Sequence, residues 1–335
     1  MSGLAVLAPW IDKQRAQLLS QNGHAWLLQG PSGLGQYQLA LELARAWLCE
    51  RRTDRTVACG VCASCHAIEV RSHADLCVLM PEIEMLELAW PLGEKAQAEI
   101  DDKKRKPSKE IRVEAMRDAV EFSQRTSARG IGKVVLVFPA ERMNNIAANA
   151  LLKTLEEPPG NVKFVLATES AHQLLPTIRS RCIAHSMQWP EVELSLNWLV
   201  SLGVPSQTAS LLLSASGGRP QNALSLHASG VNPLAWNDFP KAMQAGDVGF
   251  VKDWSLANLI DALQKLSHDC IAVKMGAKPR FFSSIEVAKH APVASLTEWS
   301  KTLTLAMRTI EHPFNAGLAL EAFVQQAKSA LNSRP

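Results

Sequence analysis

The chain has 335 residues, 47% of them apolar and 20% charged, and its 35 basic and 32 acidic side chains leave a formal net charge of +3. That balance excludes a polycationic nucleic-acid coat, a polyacidic tail and a disordered chain, and the length suits two or three domains with cores of their own. No stretch reaches ~18 consecutive apolar residues, so no membrane span is expected. Met1-Ser2-Gly3-Leu4 lacks the basic start and apolar run of a secretory leader, so the expected location is cytoplasmic.

Taken in order, Asp12 to Ser20 predicts a helix, and the apolar run Ala25-Trp26-Leu27-Leu28-Gln29 predicts a buried strand. The turn Gly30-Pro31-Ser32-Gly33-Leu34-Gly35 follows, then a helical pattern through Leu39, Leu41, Leu43, Ala44 and Leu48. Leu76 to Met80 reads as a second strand. Residues 81–110 hold Pro91, Gly93, Pro107 and the run Lys103-Lys104-Arg105-Lys106, the composition of a mobile, solvated insertion whose basic run can touch a phosphate backbone. Ile111, Val113, Met116, Val120 and Phe122 predict an amphipathic helix, and 133–138 a strand. A helix over 143–157 closes at Pro158-Pro159-Gly160, and 163–168 and 183–187 read as strands joined by a short link at 174–181. Strands alternating with helices imply a parallel sheet covered on both faces. Past Pro190 the strand patterns stop, and 210–335 reads as all-helical and separate.

Seven cysteines occur, an odd number that argues against a disulfide framework. Cys49, Cys59, Cys62 and Cys65 fall within 17 residues, and the two-residue gaps between the last three let a tight turn aim successive thiolates at one ion. Cys49 can supply the fourth ligand, with His66 and His73 as competitors. Glu69-Val70 stand where a bacterial iron–sulfur run has Cys-Pro, which favours structural zinc over a cluster. A closed four-thiolate site has no open position for water, so catalysis at the metal is not expected.

The turn 30–35 has the glycine spacing and the strand-to-helix setting of a phosphate loop. A competent loop continues with Lys, whose charge meets the β- and γ-phosphates, and with Ser or Thr, whose hydroxyl ligates magnesium. Here Gln36 and Tyr37 occupy those positions. The acidic pair expected after the strand at 134–138 is missing too, since Pro139-Ala140 follow and Glu141 is displaced. Residues Gly30, Gly33, Gly35, Gln36 and Tyr37 thus form a degenerate loop, with no ATP expected on this chain. Thr177-Ile178-Arg179-Ser180-Arg181-Cys182 carries two arginines with no use beside an inert loop. Either they are surface charges or a local salt bridge, or one contacts a neighbouring subunit's ATP.

These segments resemble a known family. Asn144 and Asn149-Ala150-Leu151-Leu152-Lys153-Thr154-Leu155-Glu156-Glu157-Pro158-Pro159 resemble the signature helix of clamp-loader AAA+ proteins, and Ser180-Arg181-Cys182 their SRC motif. Cys49, Cys59, Cys62 and Cys65 match the zinc module of the bacterial members. Gln36 and Tyr37 are similar to the substitutions of a non-hydrolysing member, and His312-Pro313 with Asn315, Leu318, Leu320 and Glu321 to the C-terminal collar helix. The resemblance is strong over 20–80 and 111–190, looser over 191–335, and absent over 81–110.

It implies an AAA+ α/β domain over 1–168, with the zinc module at 49–65 and the insertion at 81–110. A small lid over 169–208 and a helical collar over 209–335 are implied to follow. The implied function is that of a non-hydrolysing subunit of the DNA polymerase III clamp loader. It has no ATPase activity of its own, carries structural zinc, and extends Arg181 as an arginine finger into the ATP site of a neighbouring gamma/tau subunit. The implied partners are gamma/tau and delta and, through the complex, the sliding clamp and primed DNA. Thr168 falls at sensor 1, with no live role implied, and Arg219, in Gly217-Gly218-Arg219-Pro220, at sensor 2, implied to be a lid salt bridge or a remnant. Two other readings stand beside this one. The first is an ATP-hydrolysing relative that recruits Lys13, Arg45 or Lys133 as its cation. The second is a zinc-bearing nucleic-acid-binding module that uses the 103–106 run.

Overall fold

The computed structural model describes residues 7–51, 57–228, 232–308 and 315–334. The chain divides into two compact units, 1–190 and 191–335. The first runs α1 (Pro9–Leu19), β1 (Ala25–Gln29), α2 (Gln36–Leu48), α3 (Ala63–Glu69), β2 (Leu76–Leu79), α4 (Glu82–Glu87), α5 (Glu94–Asp101) and α6 (Val113–Gln124). It continues with β3 (Lys133–Val137), α7 (Asn145–Glu156), β4 (Val162–Thr168), α8 (Pro176–Arg179) and β5 (Ile183–Ser186).

The five strands form one parallel sheet in the order β2-β3-β4-β1-β5. Parallel strands covered on both faces need apolar residues at successive positions rather than alternate ones, and every residue of β3 is buried. The period of two then assigns the faces. Leu27, Val135, Val137, Phe164 and Leu166 pack with Met116 of α6 and Leu151 and Leu155 of α7. Val134 points the other way, onto Ala44 and Leu48 of α2 and Ile68 of α3. This sheet, with helices on both sides, is the α/β layer expected from the sequence.

The sheet runs on past residue 168, because β5 pairs in parallel with β1 and so joins residues 183–186 to it, within the unit 1–190. One expectation differs from what is found. The insertion at 81–110 is not a solvated loop. It forms α4 and α5, and Arg105, from the middle of the basic run, turns inward to Glu82 (Nη2 to Oε1, 2.8 Å) and Glu99 (Nε to Oε2, 2.7 Å). Glu82 is 7% exposed and also accepts the Ser108 N–H at 2.8 Å. A run of like charges reads as a solvated face only when no buried acid answers it, and that acid lies 23 residues back in the chain.

The second unit holds helices and, among its described residues, no strand: α9 (Val192–Ser201), α10 (Ser206–Ala215), α11 (Pro220–Ala228), α12 (Pro233–Ala245), α13 (Leu256–Lys274), α14 (Val293–Arg308) and α15 (Ala316–Leu331). Its core gathers Phe239, Leu259, Leu263, Leu266, Leu296, Leu303 and Val324. Within it Trp236 stacks on Phe282 with ring centroids 5.0 Å apart, and Phe239 on Trp254 at 5.4 Å. Asp269 of α13 is fully buried and accepts the backbone N–H groups of Arg280, Phe281 and Phe282 at 2.9, 2.7 and 3.0 Å, which clamps that loop to the helix. The His312-Pro313 pair lies outside the described residues. Asn315 caps α15, its Oδ1 accepting from Gly317 N at 3.1 Å and Leu318 N at 3.3 Å.

Candidate functional site

The loop between β1 and α2 turns through Gly33 (φ 83°) and Gly35 (φ 99°), left-handed conformations that favour glycine. At Gly30 a side chain is barred by space, since an added Cβ would stand 2.8 Å from the Met187 Cβ. Gln36 is 2% exposed, and its Nε2 donates to the carbonyls of Gly30 (2.7 Å) and Pro31 (2.8 Å). Where a lysine would reach a phosphate, this amide turns back onto the loop itself. Trp10 of α1 ties the same loop down, its indole N–H donating to the Leu34 carbonyl at 2.9 Å.

Tyr37 is buried beside Phe138, ring centroids 5.5 Å apart, and its hydroxyl accepts the Trp90 indole N–H at 2.6 Å. The Arg71 guanidinium lies over the Trp90 ring, 5.6 Å from its centroid. Burial raises the Tyr37 pKa, against the lowering effects of the Trp90 hydrogen bond and the Arg71 charge. The phenol is therefore a neutral acceptor for Trp90 of the insertion. Sequence reasoning missed Trp90, which sits in the segment with no family counterpart.

Glu141, displaced from the expected acidic pair, and Thr168, at the sensor 1 position, meet each other. The Thr168 hydroxyl donates to Glu141 Oε2 at 2.6 Å, and the Glu169 N–H to Glu141 Oε1 at 3.0 Å. Both carboxylate oxygens are engaged by the chain itself. The substitute cations are engaged or remote: Arg45 pairs with Glu42 at 3.0 Å, Lys133 donates to the Phe122 carbonyl at 2.7 Å, and Lys13 is exposed on α1.

The structure brings Cys49, Cys59, Cys62 and Cys65 together, with all four Sγ atoms within 4.8 Å of one another. Cys49 to Cys62 measures 3.9 Å and Cys59 to Cys65 4.0 Å. A tetrahedron of Zn–S bonds of ~2.3 Å has S···S edges of about 3.8 Å, so the four thiols fit one metal ion. Backbone N–H groups aim at the sulfurs: Cys59 N at Cys49 Sγ (3.3 Å), Cys62 N at Cys59 Sγ (3.3 Å) and Cys65 N at Cys62 Sγ (3.5 Å). Burial works to raise the Cys62 pKa, but the Cys65 N–H and neighbouring donors bring it down to about 6. Cys65 is pushed up to about 12 by burial and by Cys62. That split is what crowded sulfurs do when one thiolate forms first.

His66 and His73 are not among the grouped ligands. His73 Nδ1 accepts the Asp75 N–H at 3.0 Å, which leaves the proton of the neutral ring on Nε2, 3.0 Å from Ser64 Oγ. Ser64 in turn donates to Glu50 at 3.0 Å. Burial lowers the His73 pKa, and Asp75 and Glu50 partly oppose that. These bonds join the residues beside the cysteines to the start of β2.

Arg181 follows α8. Its Nη2 donates to Glu156 Oε1 at 2.5 Å and its Nη1 to the Thr177 carbonyl at 2.9 Å, while Nε is buried with no hydrogen-bond partner. Arg179, two residues earlier, is exposed. Arg219 in the second unit bends back so that its Nε donates to the Ser216 carbonyl at 2.8 Å.

Comparison with known proteins adds to this geometry. A family model described as DNA polymerase III, delta subunit, matches residues 12–191. The chain is 39% identical over 232 residues to the DNA polymerase III subunit delta' of Pseudomonas aeruginosa, a match covering 68% of this chain and 63% of that one. It is 30% identical over 278 residues to subunit delta' of Yersinia pestis, covering 80% of this chain and 72% of that one. The subunit tau of Salmonella typhimurium is 36% identical over 170 residues, which cover 51% of this chain and 22% of tau. The match to the Pseudomonas relative thus spans a little under two thirds of that protein's length. No helix among the described residues is long and apolar enough to cross a membrane. The family match covers more than half of the chain and includes the phosphate loop, the four cysteines and Arg181: the chain belongs to the DNA polymerase III delta subunit family.

Proposed function

We propose that this chain is the non-hydrolysing delta-prime subunit of the DNA polymerase III clamp loader. In that reading it joins gamma/tau and delta in a ring, and Arg181 supplies positive charge to the ATP site of a neighbouring gamma/tau subunit. The complex then loads the sliding clamp onto primed DNA in the cytoplasm. The observation that carries the reading is the Gln36 amide, held on the Gly30 and Pro31 carbonyls where a lysine would meet phosphate. A neutral donor facing inward offers a polyphosphate no charge, and the buried Tyr37 offers magnesium no ligand. Arg181 is part-exposed after α8, and its bonds to Glu156 and Thr177 take one N–H from each of its two terminal nitrogens, leaving the other on each.

The four thiolates would hold zinc as a structural ion that cross-links α3 to the end of α2. Four protein ligands close its coordination and leave it no catalytic position.

The test is twofold. Titration of the isolated full chain with magnesium-ATP is expected to show no saturable binding and no turnover; micromolar binding with hydrolysis overturns the reading in favour of an active ATPase. In a ring reconstituted with ATP-hydrolysing partners, Arg181→Ala is expected to slow turnover at the site this chain faces by roughly 10³-fold, the low end for an arginine finger. Unchanged turnover refutes the finger.

A further inference from the structure

We infer that Glu156 is a positioning residue for Arg181, holding its guanidinium in a fixed plane with unused N–H groups turned to an acceptor outside this chain. The inference rests on the finger reading above. A guanidinium carries five N–H donors in a rigid fork. Two are committed here, one to Glu156 Oε1 and one to the Thr177 carbonyl. The anchors come from different elements, the last residue of α7 and the middle of α8, so together they orient the plane against the sheet domain. A third donor, Nε, is buried and unpartnered. Burial keeps Nε from any outside acceptor, so the unused donors are the second N–H of Nη1 and the second N–H of Nη2.

Glu156 is out of place by the rules of its own helix. It ends α7, where the carbonyl end of the helix dipole repels an acid and favours a cation. Its side chain is 53% exposed, a setting in which an ion pair contributes little to folding. Neither helix stability nor fold stability accounts for the acid, whereas orientation of Arg181 does. An untethered arginine must lose its rotamer freedom when it meets the transferring phosphoryl group, and a tethered one has lost it beforehand.

The experiment uses full chains in a reconstituted ring. The partners' own arginines at the matching motif are replaced, so that only the ATP site facing this chain turns over. Glu156→Ala is expected to lower kcat for ATP by about tenfold, the cost of a loosened but still reachable group. KM should not change, because ATP is bound by the neighbour. Glu156→Gln, which keeps an oxygen to accept the Nη2 proton, is expected to recover most of the rate. The Glu156→Ala/Arg181→Ala pair is expected to be no slower than Arg181→Ala, since Glu156 acts only through the arginine. A melting temperature equal to the parent's for Glu156→Ala separates a lost orientation from a lost fold. If Arg181→Ala is slow but Glu156→Ala runs at the parent rate, the finger stands and the role of Glu156 is overturned. Equal losses in the Gln and Ala variants also overturn it. If Arg181→Ala itself runs at the parent rate, the finger reading fails first.

Discussion

Asp75 is 1% exposed and accepts three donors from one loop: Ala128 N at 2.7 Å, Arg129 N at 2.9 Å and Ser127 Oγ at 3.0 Å. Burial works to raise its pKa, but these hydrogen bonds to the charged form bring it below the usual value. A carboxyl with a lowered folded pKa stabilises the fold fully above its unfolded pKa of ~3.9, and that contribution disappears as pH falls through the folded value. Asp75→Ala is therefore expected to lose about 1–3 kcal/mol at pH 7, from the orphaned donors. The gap to the parent should narrow in urea titrations carried out below about pH 4. A gap that stays constant with pH would show that the charge of Asp75 is not what holds the loop.

Tyr37 makes a similar single-atom case. Tyr37→Phe keeps the ring against Phe138 and removes only the acceptor for the buried Trp90 N–H. The expected loss is about 1–2 kcal/mol in chemical denaturation. Trp90→Phe in the same background should add less than it does alone, because the two changes break one shared bond.

Among the elements, the strands and the helices α2, α6 and α7 were legible because their apolar spacing and their Gly and Pro boundaries are local. The insertion was not. Its order depends on Glu82 meeting Arg105 and on Trp90 meeting Tyr37, and both contacts bridge sequence distances over which no periodicity operates. The cysteine module was legible for the opposite reason, since three of its ligands sit at two-residue gaps. For it, Cys62→Ser is expected to lower bound zinc from about one ion per chain to near none, by elemental analysis of purified protein. Hydrogen exchange should then rise in α3, whose first turn is capped by the Cys62 sulfur. A protein that holds no metal as isolated and is unaffected by the substitution would rule the site out. In the helical unit, Asp269→Asn keeps the shape but weakens three backbone clamps, and it should lower the thermal midpoint of that unit.

Across the chain, each of the two units has its own core: sheet with flanking helices in 1–190, stacked aromatics with α13–α15 in 191–335. Fragments cut at Pro190 are expected to unfold cooperatively by themselves, as followed by far-ultraviolet circular dichroism. A cut at 168 is expected to leave the first fragment unfolded, because it strips β5 from β1. From residue order alone one can read a parallel α/β layer, a helical remainder, a cluster of four cysteines and a glycine turn without a following lysine, since each is written in spacing over a few turns of chain. Tertiary structure alone decided that Gln36 fills its own loop, that the insertion packs on Tyr37 and that Glu156 holds Arg181. The last two rest on contacts between residues far apart in the chain and the first on the angle at which a side chain leaves a turn, and a linear pattern carries no information about such geometry.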